Sequence, residues 1–378
     1  MKTELEAERD RRRKLFDSVM EEQNLDALVF TSTAQQGNQM AVKYATNYPL
    51  ITRRDFSFVK KGGMPFLVVP TVGQQYNAGQ ISWLPEENVL CGDMVKIVTD
   101  FIRSIPSKRP RIGLYESQDI PVSIYHALES TAAEFVDITE LLTERRAPKS
   151  EYELKMTEIA SEIAVDSFRW VVRNLHPGCT EQEIIGGAEG FLRAHGAEDT
   201  LVLTRSIKPH TFITRARDFK IKEDGMFVYS CEMAGPGGYW TQVVHPIFMS
   251  RGCEPEAYRV MQVIKEALAE GEEKLRPGFR ICDVDEAIAK VVKKHGCHAG
   301  VWSGHGMGAD LGDGISIGAP NQMELKPNMI LTLHPSVIGD GDGLLCGSTY
   351  RITENGFVNL TGEYGDLCYL EDLKNAVG

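Results

Sequence analysis

The sequence predicts an α+β chain of two domains, a smaller α/β domain over residues 1–147 and an α+β domain over residues 148–378. Three observations predict it. The chain has 378 residues, more than one core of ordinary size requires. Its first third alternates short apolar runs with segments of helical period. Its later part carries two similar phrases, LHPGCTEQEIIGGAEGFLRAHG at 175–196 and LRPGFRICDVDEAIAKVVKKHG at 275–296.

The opening stretch MKTELEAERDRRRKLF predicts a charged amphipathic helix through about Glu22. The apolar runs LDALVF, MPFLVVP and RIGLYE then read as strands of a small α/β domain. Near Arg145 the text changes: Pro148 disfavours helix just before it, and Ser150 with Glu153 forms a capping box that opens a long amphipathic helix. Each repeated phrase is a helix end, a Pro-Gly turn and a new helix ending in His-Gly. Their offset of about 100 residues marks a duplicated helical unit, since solenoids repeat every 20–50 or so. Strand-like segments follow each unit.

A formal net charge of −12 argues against nucleic acid or an anionic membrane as partner, because either wants a basic face. A small-molecule substrate fits better. No apolar run approaches the roughly 20 residues that span a bilayer, and the amino terminus has no apolar signal region. The eight cysteines are scattered without a CxxC pair and read as mostly reduced thiols. A cytoplasmic protein is expected. The glycines of AGPGG and DLGDG read as turns, since no GK[ST] follows them.

The segment RRAPKSEYELKMTEIASEIA, the two Pro-Gly phrases, SGHGMG, LKPNMILTLHP and YRITENG, in that order, resemble the creatinase/prolidase/aminopeptidase P/methionine aminopeptidase superfamily. VKYATNYPLITRRDFSFVKKGGMPFLVVP is similar to the opening of the amino domain in creatinases and prolidases. The resemblance covers roughly residues 40–370. It implies a carboxy-terminal pita-bread domain, a curved antiparallel sheet flanked by two helix pairs with the active site in its concave face. It also implies a homodimer in which the amino domain reaches the partner's pocket.

The superfamily's peptidases hold two metal ions with two Asp, one His and two Glu, because bridging anions must offset two adjacent divalent charges. On the resemblance, these places fall here on Cys231, Gln242 (in GGYWTQ), His305 (in SGHGMG), His334 (in LTLHP) and a position near Gly347. A further histidine of the family is replaced by Gly312, beside Asp313. One ligand of five survives, so no metal cofactor of the dimetal kind is expected.

The resemblance also places His210, in KPH, where creatinases carry their general base. The expected function is therefore a metal-independent, creatinase-like hydrolase of a C–N bond in a small polar or zwitterionic substrate. His210, His305 and His334 are its candidate catalytic residues, as imidazole titrates near neutral pH. Cys231, Glu232, Gln242 and His245 are candidate substrate-binding residues, joined by Arg53 and Arg54 for a substrate carboxylate. Plainer roles stand beside these. Arg53 and Arg54 also fit a solvated turn balanced by Asp55, His334 a packed core histidine, and Cys231 a small buried apolar residue whose neighbour Glu232 points the other way. The alternatives are one zinc held by Cys231, His305 and His334 in a hydrolase or lyase, and a non-catalytic peptide-binding member of the fold.

Overall fold

The computed structural model describes residues 2–50, 53–300 and 302–378, and divides into two compact units, 1–146 and 147–378. In the first unit the charged opening stretch is helix α1 (Lys2–Glu22), and the apolar run after it is strand β1 (Ala27–Thr33). There follow α2 (Met40–Thr46), β2 (Arg54–Lys60), β3 (Phe66–Val69), α3 (Val72–Ile81), β4 (Val89–Cys91) and α4 (Met94–Arg103). The unit closes with β5 (Arg111–Tyr115), α5 (Val122–Glu129), β6 (Glu134–Asp137) and α6 (Thr139–Arg146). Its sheet runs β4-β3-β2-β1-β5-β6, antiparallel from β3 through β1 and parallel at both ends. Both faces of β1 are buried, which explains the apolar run with which it opens, residues 27–30.

In the second unit the Ser150–Glu153 capping box is formed. The Ser150 hydroxyl accepts from the Glu153 N–H at 3.2 Å, and the Glu153 carboxylate accepts from the Ser150 N–H at 3.0 Å. It opens α7 (Glu151–Asn174), followed by α8 (Glu181–Ala194), β7 (Asp199–Arg205), β8 (Met226–Ala234) and β9 (Trp240–Phe248). Next come α9 (Pro255–Glu272), α10 (Ile281–Lys294), β10 (His298–Ala299), β11 (Gly304–Met307), β12 (Leu311–Ile317) and β13 (Ile330–Leu333). The chain ends with β14 (Ser336–Ile338), β15 (Gly343–Leu345), β16 (Gly347–Ile352), β17 (Phe357–Asn359) and α11 (Leu370–Val377).

The repeated phrases become α8 and α10, each of 14 residues, entered after left-handed glycines at 178 and 278 and left through glycines at 196 and 296. Each helix pair closes on a glycine that leaves room for its neighbour. A Cβ at Gly187 would lie 2.0 Å from the Trp170 ring, and one at Gly271 2.9 Å from Ile288. The main sheet runs β12-β11-β13-β16-β9-β8-β7, with β17 beside β16. Phe168, Val171 and Val172 of α7 with Ile185 and Ala188 of α8 cluster with Phe227, Cys231 and Val243 of β8 and β9. Ile264 of α9 and Val284 of α10 cluster with Leu331, Leu333 and Tyr350 of β13 and β16.

All eight cysteines are unpaired, and seven are buried. No helix among the described residues is long and apolar enough to cross a membrane.

Candidate active site

Strand alternation decides which residues of the β8–β9 hairpin meet. Glu232 stands opposite Gln242, and Cys231 opposite Val243. Successive side chains of a strand point to opposite faces. Cys231 and Val243 therefore belong to the face packed under α7 and α8, and Glu232 and Gln242 to the other. His305 on β11 completes that second face: its Nε2 lies 3.3 Å from Oε1 of Glu232, and its Nδ1 donates to the Gly306 carbonyl at 3.0 Å. His334 follows β13, its backbone N–H donating to the Ser303 carbonyl, and its ring stands edge-on to that of His305 with centroids 5.0 Å apart.

Three polar atoms here are buried without a hydrogen-bond partner: both ring nitrogens of His334 and Oε1 of Gln242. Burial, and then the nearby imidazole of His305, push the His334 pKa down to about 3, so this ring is neutral. Gln242 is fixed through its backbone, whose N–H donates to Thr349 Oγ1 at 2.9 Å and whose carbonyl accepts from Thr361 Oγ1 at 2.8 Å.

Two expected site residues lie elsewhere. Cys231 is fully buried in the apolar cluster under the helices, and burial pushes its thiol up to about 12. It cannot join His305 and His334 around a zinc ion, because the pleat turns it to the opposite face. His245 faces the same helices: its ring lies 4.6 Å from that of Phe168, and its Nε2 meets the Leu367 carbonyl at 2.9 Å. Burial holds it neutral, with a pKa down to about 4. It is a core histidine. The acid at the head of the site is Glu232, one residue along from Cys231, and alternation was the signal that finds it.

His210 belongs to a second cluster. Its side chain is wholly buried, with Nδ1 donating to Oδ2 of Asp342 at 2.6 Å and its backbone N–H donating to Oδ1 at 2.9 Å. Nε2 is buried without a partner. Burial alone would raise the Asp342 carboxyl, but the hydrogen bonds from His210 hold it below the usual carboxylate range. Among the described residues, His210, Glu254 and Asp342 are the group whose potential ligand atoms gather within 4.8 Å. The 2.6 Å contact is a hydrogen bond, shorter than the roughly 3 Å that separates two donors bound about 2.1 Å from one ion. Glu254 is also neutralised by Lys208, whose Nζ lies 2.7 Å from Oε2. No sequence motif pointed to Asp342, which lies 132 residues from His210.

Arg53 and Arg54 lie in the first unit, at the head of β2. Arg53 is exposed with a left-handed φ of 66°, and Arg54 donates to Thr31 Oγ1 at 2.8 Å.

Among the described residues, the groups brought together here are one carboxylate (Glu232), one amide (Gln242) and two imidazoles (His305 and His334). Two divalent ions about 3.5 Å apart repel by on the order of 20 kcal/mol even at an effective dielectric near 20. One carboxylate offsets little of that. Gly347 supplies no second acid and has no room for one, as a Cβ there would lie 1.8 Å from the Leu333 carbonyl oxygen and 2.6 Å from Cα of His334. Asp313 is engaged by Lys149, whose Nζ lies 2.5 Å from it. The residues present do not fit a pair of metal ions.

A curved sheet under two helix pairs, with imidazoles and a carboxylate on its open face and a small α/β domain before it, defines a two-domain pita-bread protein. Residues 155–358 match metallopeptidase family M24 and residues 12–147 match the creatinase/prolidase N-terminal domain; the chain belongs to that family. It is 26% identical over 290 residues to an uncharacterized peptidase, YqhT, of Bacillus subtilis, covering 74% of this chain and 80% of that one. It is 25% identical over 245 residues to a Xaa-Pro dipeptidase of Pyrococcus furiosus, covering 62% and 68% of the two chains. Among solved structures, dipeptidase PepE of Mycobacterium ulcerans superposes with a TM-score of 0.81 at 19% identity, over 96% of this chain and 98% of that one. The prolidase of Pyrococcus horikoshii OT3 gives 0.77 at 20% identity, over 93% and 98%.

Proposed function

We propose that this chain is a hydrolase that cleaves a C–N bond in a small polar or zwitterionic substrate by proton transfer among its own side chains, without the two-metal centre of its family. The observation that carries the reading is the open sheet face itself. Glu232 is the carboxylate placed beside His305, while a neutral His334 and the Gln242 amide present buried polar atoms without a hydrogen-bond partner among the described residues. Unpartnered buried polar atoms cost about 1–3 kcal/mol each, and a polar substrate relieves that cost. Water's oxygen bonds to the substrate carbon while His210 takes its proton on Nε2, and the C–N bond breaks. The departing nitrogen receives a proton from the pair formed by His305 and Glu232. His334, neutral at physiological pH, donates to or accepts from the substrate and carries no charge of its own. Arg53 and Arg54, supplied by a second copy of the chain, are the groups proposed to meet a substrate carboxylate.

The test is amine or ammonia release from Xaa-Pro dipeptides and from ureido, guanidino and betaine-amide compounds, with and without a chelator. Turnover that survives chelation and is lost in His210→Ala and Glu232→Gln supports the reading. Turnover that requires two equivalents of metal per chain overturns it.

One spacing favours a second reading. The 3.3 Å between Glu232 Oε1 and His305 Nε2 is that of two donors sharing one ion, and His334 stands beside them with free nitrogens. Glu232, His305 and His334 would then hold a single divalent ion, with Glu232 in the place expected of Cys231. Metal analysis of protein purified without added salts separates the two readings: one equivalent per chain, abolished in Glu232→Gln, selects the second.

A further inference from the structure

We infer that Asp342 is a positioning residue for His210, holding the imidazole with its proton on Nδ1 so that Nε2 is the bare acceptor; this rests on the role proposed above for His210. The Asp342 carboxylate takes three hydrogen bonds. Oδ2 accepts from Nδ1 of His210 at 2.6 Å, and Oδ1 accepts from the backbone N–H groups of His210 at 2.9 Å and Gly343 at 2.8 Å. An ionised carboxylate only accepts, and a neutral imidazole has one N–H. The 2.6 Å contact therefore assigns that hydrogen to Nδ1. In the neutral ring Nε2 is then the lone pair, and it is buried without a hydrogen-bond partner.

The segment bearing His210 is anchored on both sides. Lys208 pairs with Glu254 at 2.7 Å, and Thr211 Oγ1 meets Ser336 Oγ at 2.7 Å, two residues beyond His334. The ring is thus fixed by its own dyad partner and by its neighbours in the chain. A histidine kept only for packing has no need of a carboxylate that saturates one nitrogen while the other stays vacant. A proton acceptor needs that arrangement, because the wrong tautomer presents N–H where a lone pair is required.

The experiment is a long-range proton–nitrogen spectrum of the histidine rings in the full chain labelled with nitrogen-15, His210 being assigned by its loss in His210→Ala. Wild type is expected to show a protonated Nδ1 and a bare Nε2. Asp342→Asn keeps an acceptor for the backbone N–H groups but donates to Nδ1, and is expected to move the proton to Nε2. On the substrate returned by the amine-release screen, Asp342→Asn should lower kcat by on the order of 10²–10⁴-fold with KM little changed, and add nothing to the loss in His210→Ala. A wild-type spectrum with the proton on Nε2 overturns the inference without any variant having to fold. So does an Asp342→Asn chain with unchanged tautomer and unchanged kcat. Undiminished turnover in His210→Ala sinks the proposed role of His210 instead, and the wild-type spectrum still decides the placement of the proton.

Discussion

Oε1 of Glu232 and Nε2 of His305 face each other at 3.3 Å across three strands of one sheet, the carboxylate on β8 and the imidazole on β11. Each side chain is nearly enclosed, at 11% and 12% exposure, so a proton between them is shielded from bulk water. Glu232→Gln keeps the size and the hydrogen-bonding capacity but removes the charge. Turnover is expected to fall by on the order of 10²–10⁴-fold with the melting temperature nearly unchanged, as measured by amine release and thermal unfolding. A variant with full activity would remove Glu232 from the chemistry.

His245 makes the larger unit sensitive to acid. Its folded pKa of about 4 lies below the ordinary 6.5, so the unfolded chain binds its proton first. The stabilisation is present above pH 6.5 and is lost as pH falls toward 4, by roughly 3 kcal/mol in all. His245→Asn should flatten that part of the stability profile. Denaturant unfolding at a series of pH values between these limits reads the slope, and an unchanged slope contradicts the assignment.

Asp55 gives the amino-terminal unit the opposite response. It is fully buried with neither carboxylate oxygen partnered, and burial raises its pKa from 3.8 to about 7. The folded unit keeps the proton that the unfolded chain has lost, so the stability contributed by Asp55 is fully present below pH 3.8 and is lost as pH rises through about 7. Hydrogen exchange should show β1 and β2 opening more readily at pH 8 than at pH 5.5, once corrected for intrinsic rates, and Asp55→Asn should remove the difference.

Adjacent glycines on α8 separate packing from propensity. A Cβ at Gly186 meets nothing within 4 Å, whereas one at Gly187 lies 2.0 Å from the Trp170 ring. Gly186→Ala is expected to stabilise by up to about 1 kcal/mol through helix propensity. Gly187→Ala is expected to destabilise by about 1–3 kcal/mol through overpacking, both read by denaturant unfolding. Equal effects would mean that α7 and α8 do not pack as described.

Much of the architecture was legible in the chain because it is written locally. The capping box at Ser150, the glycines that close α8 and α10, and the apolar run of β1 each specify their element through neighbours a few residues away. The ordered phrases carried the family, and on the resemblance the places of its metal-holding acids fall on Cys231, Gln242, His334 and near Gly347. What could not be read was which of two adjacent residues faces the site. The resemblance put Cys231 at the first metal-holding place and grouped His245 with the pocket, whereas the pleat gives the open face to Glu232 and His305.

Sequence alone thus determined the two domains, the helix pairs and the pita-bread sheet, because caps, turns and motif order act over short stretches. Only the tertiary structure decided that Glu232 meets His305, that Cys231 and His245 sit beneath the helices, and that Asp342 reaches His210 from 132 residues away. The reason is that strand register has a period of two, so one residue's shift exchanges the faces, and a contact closed by folding leaves no local trace in the chain.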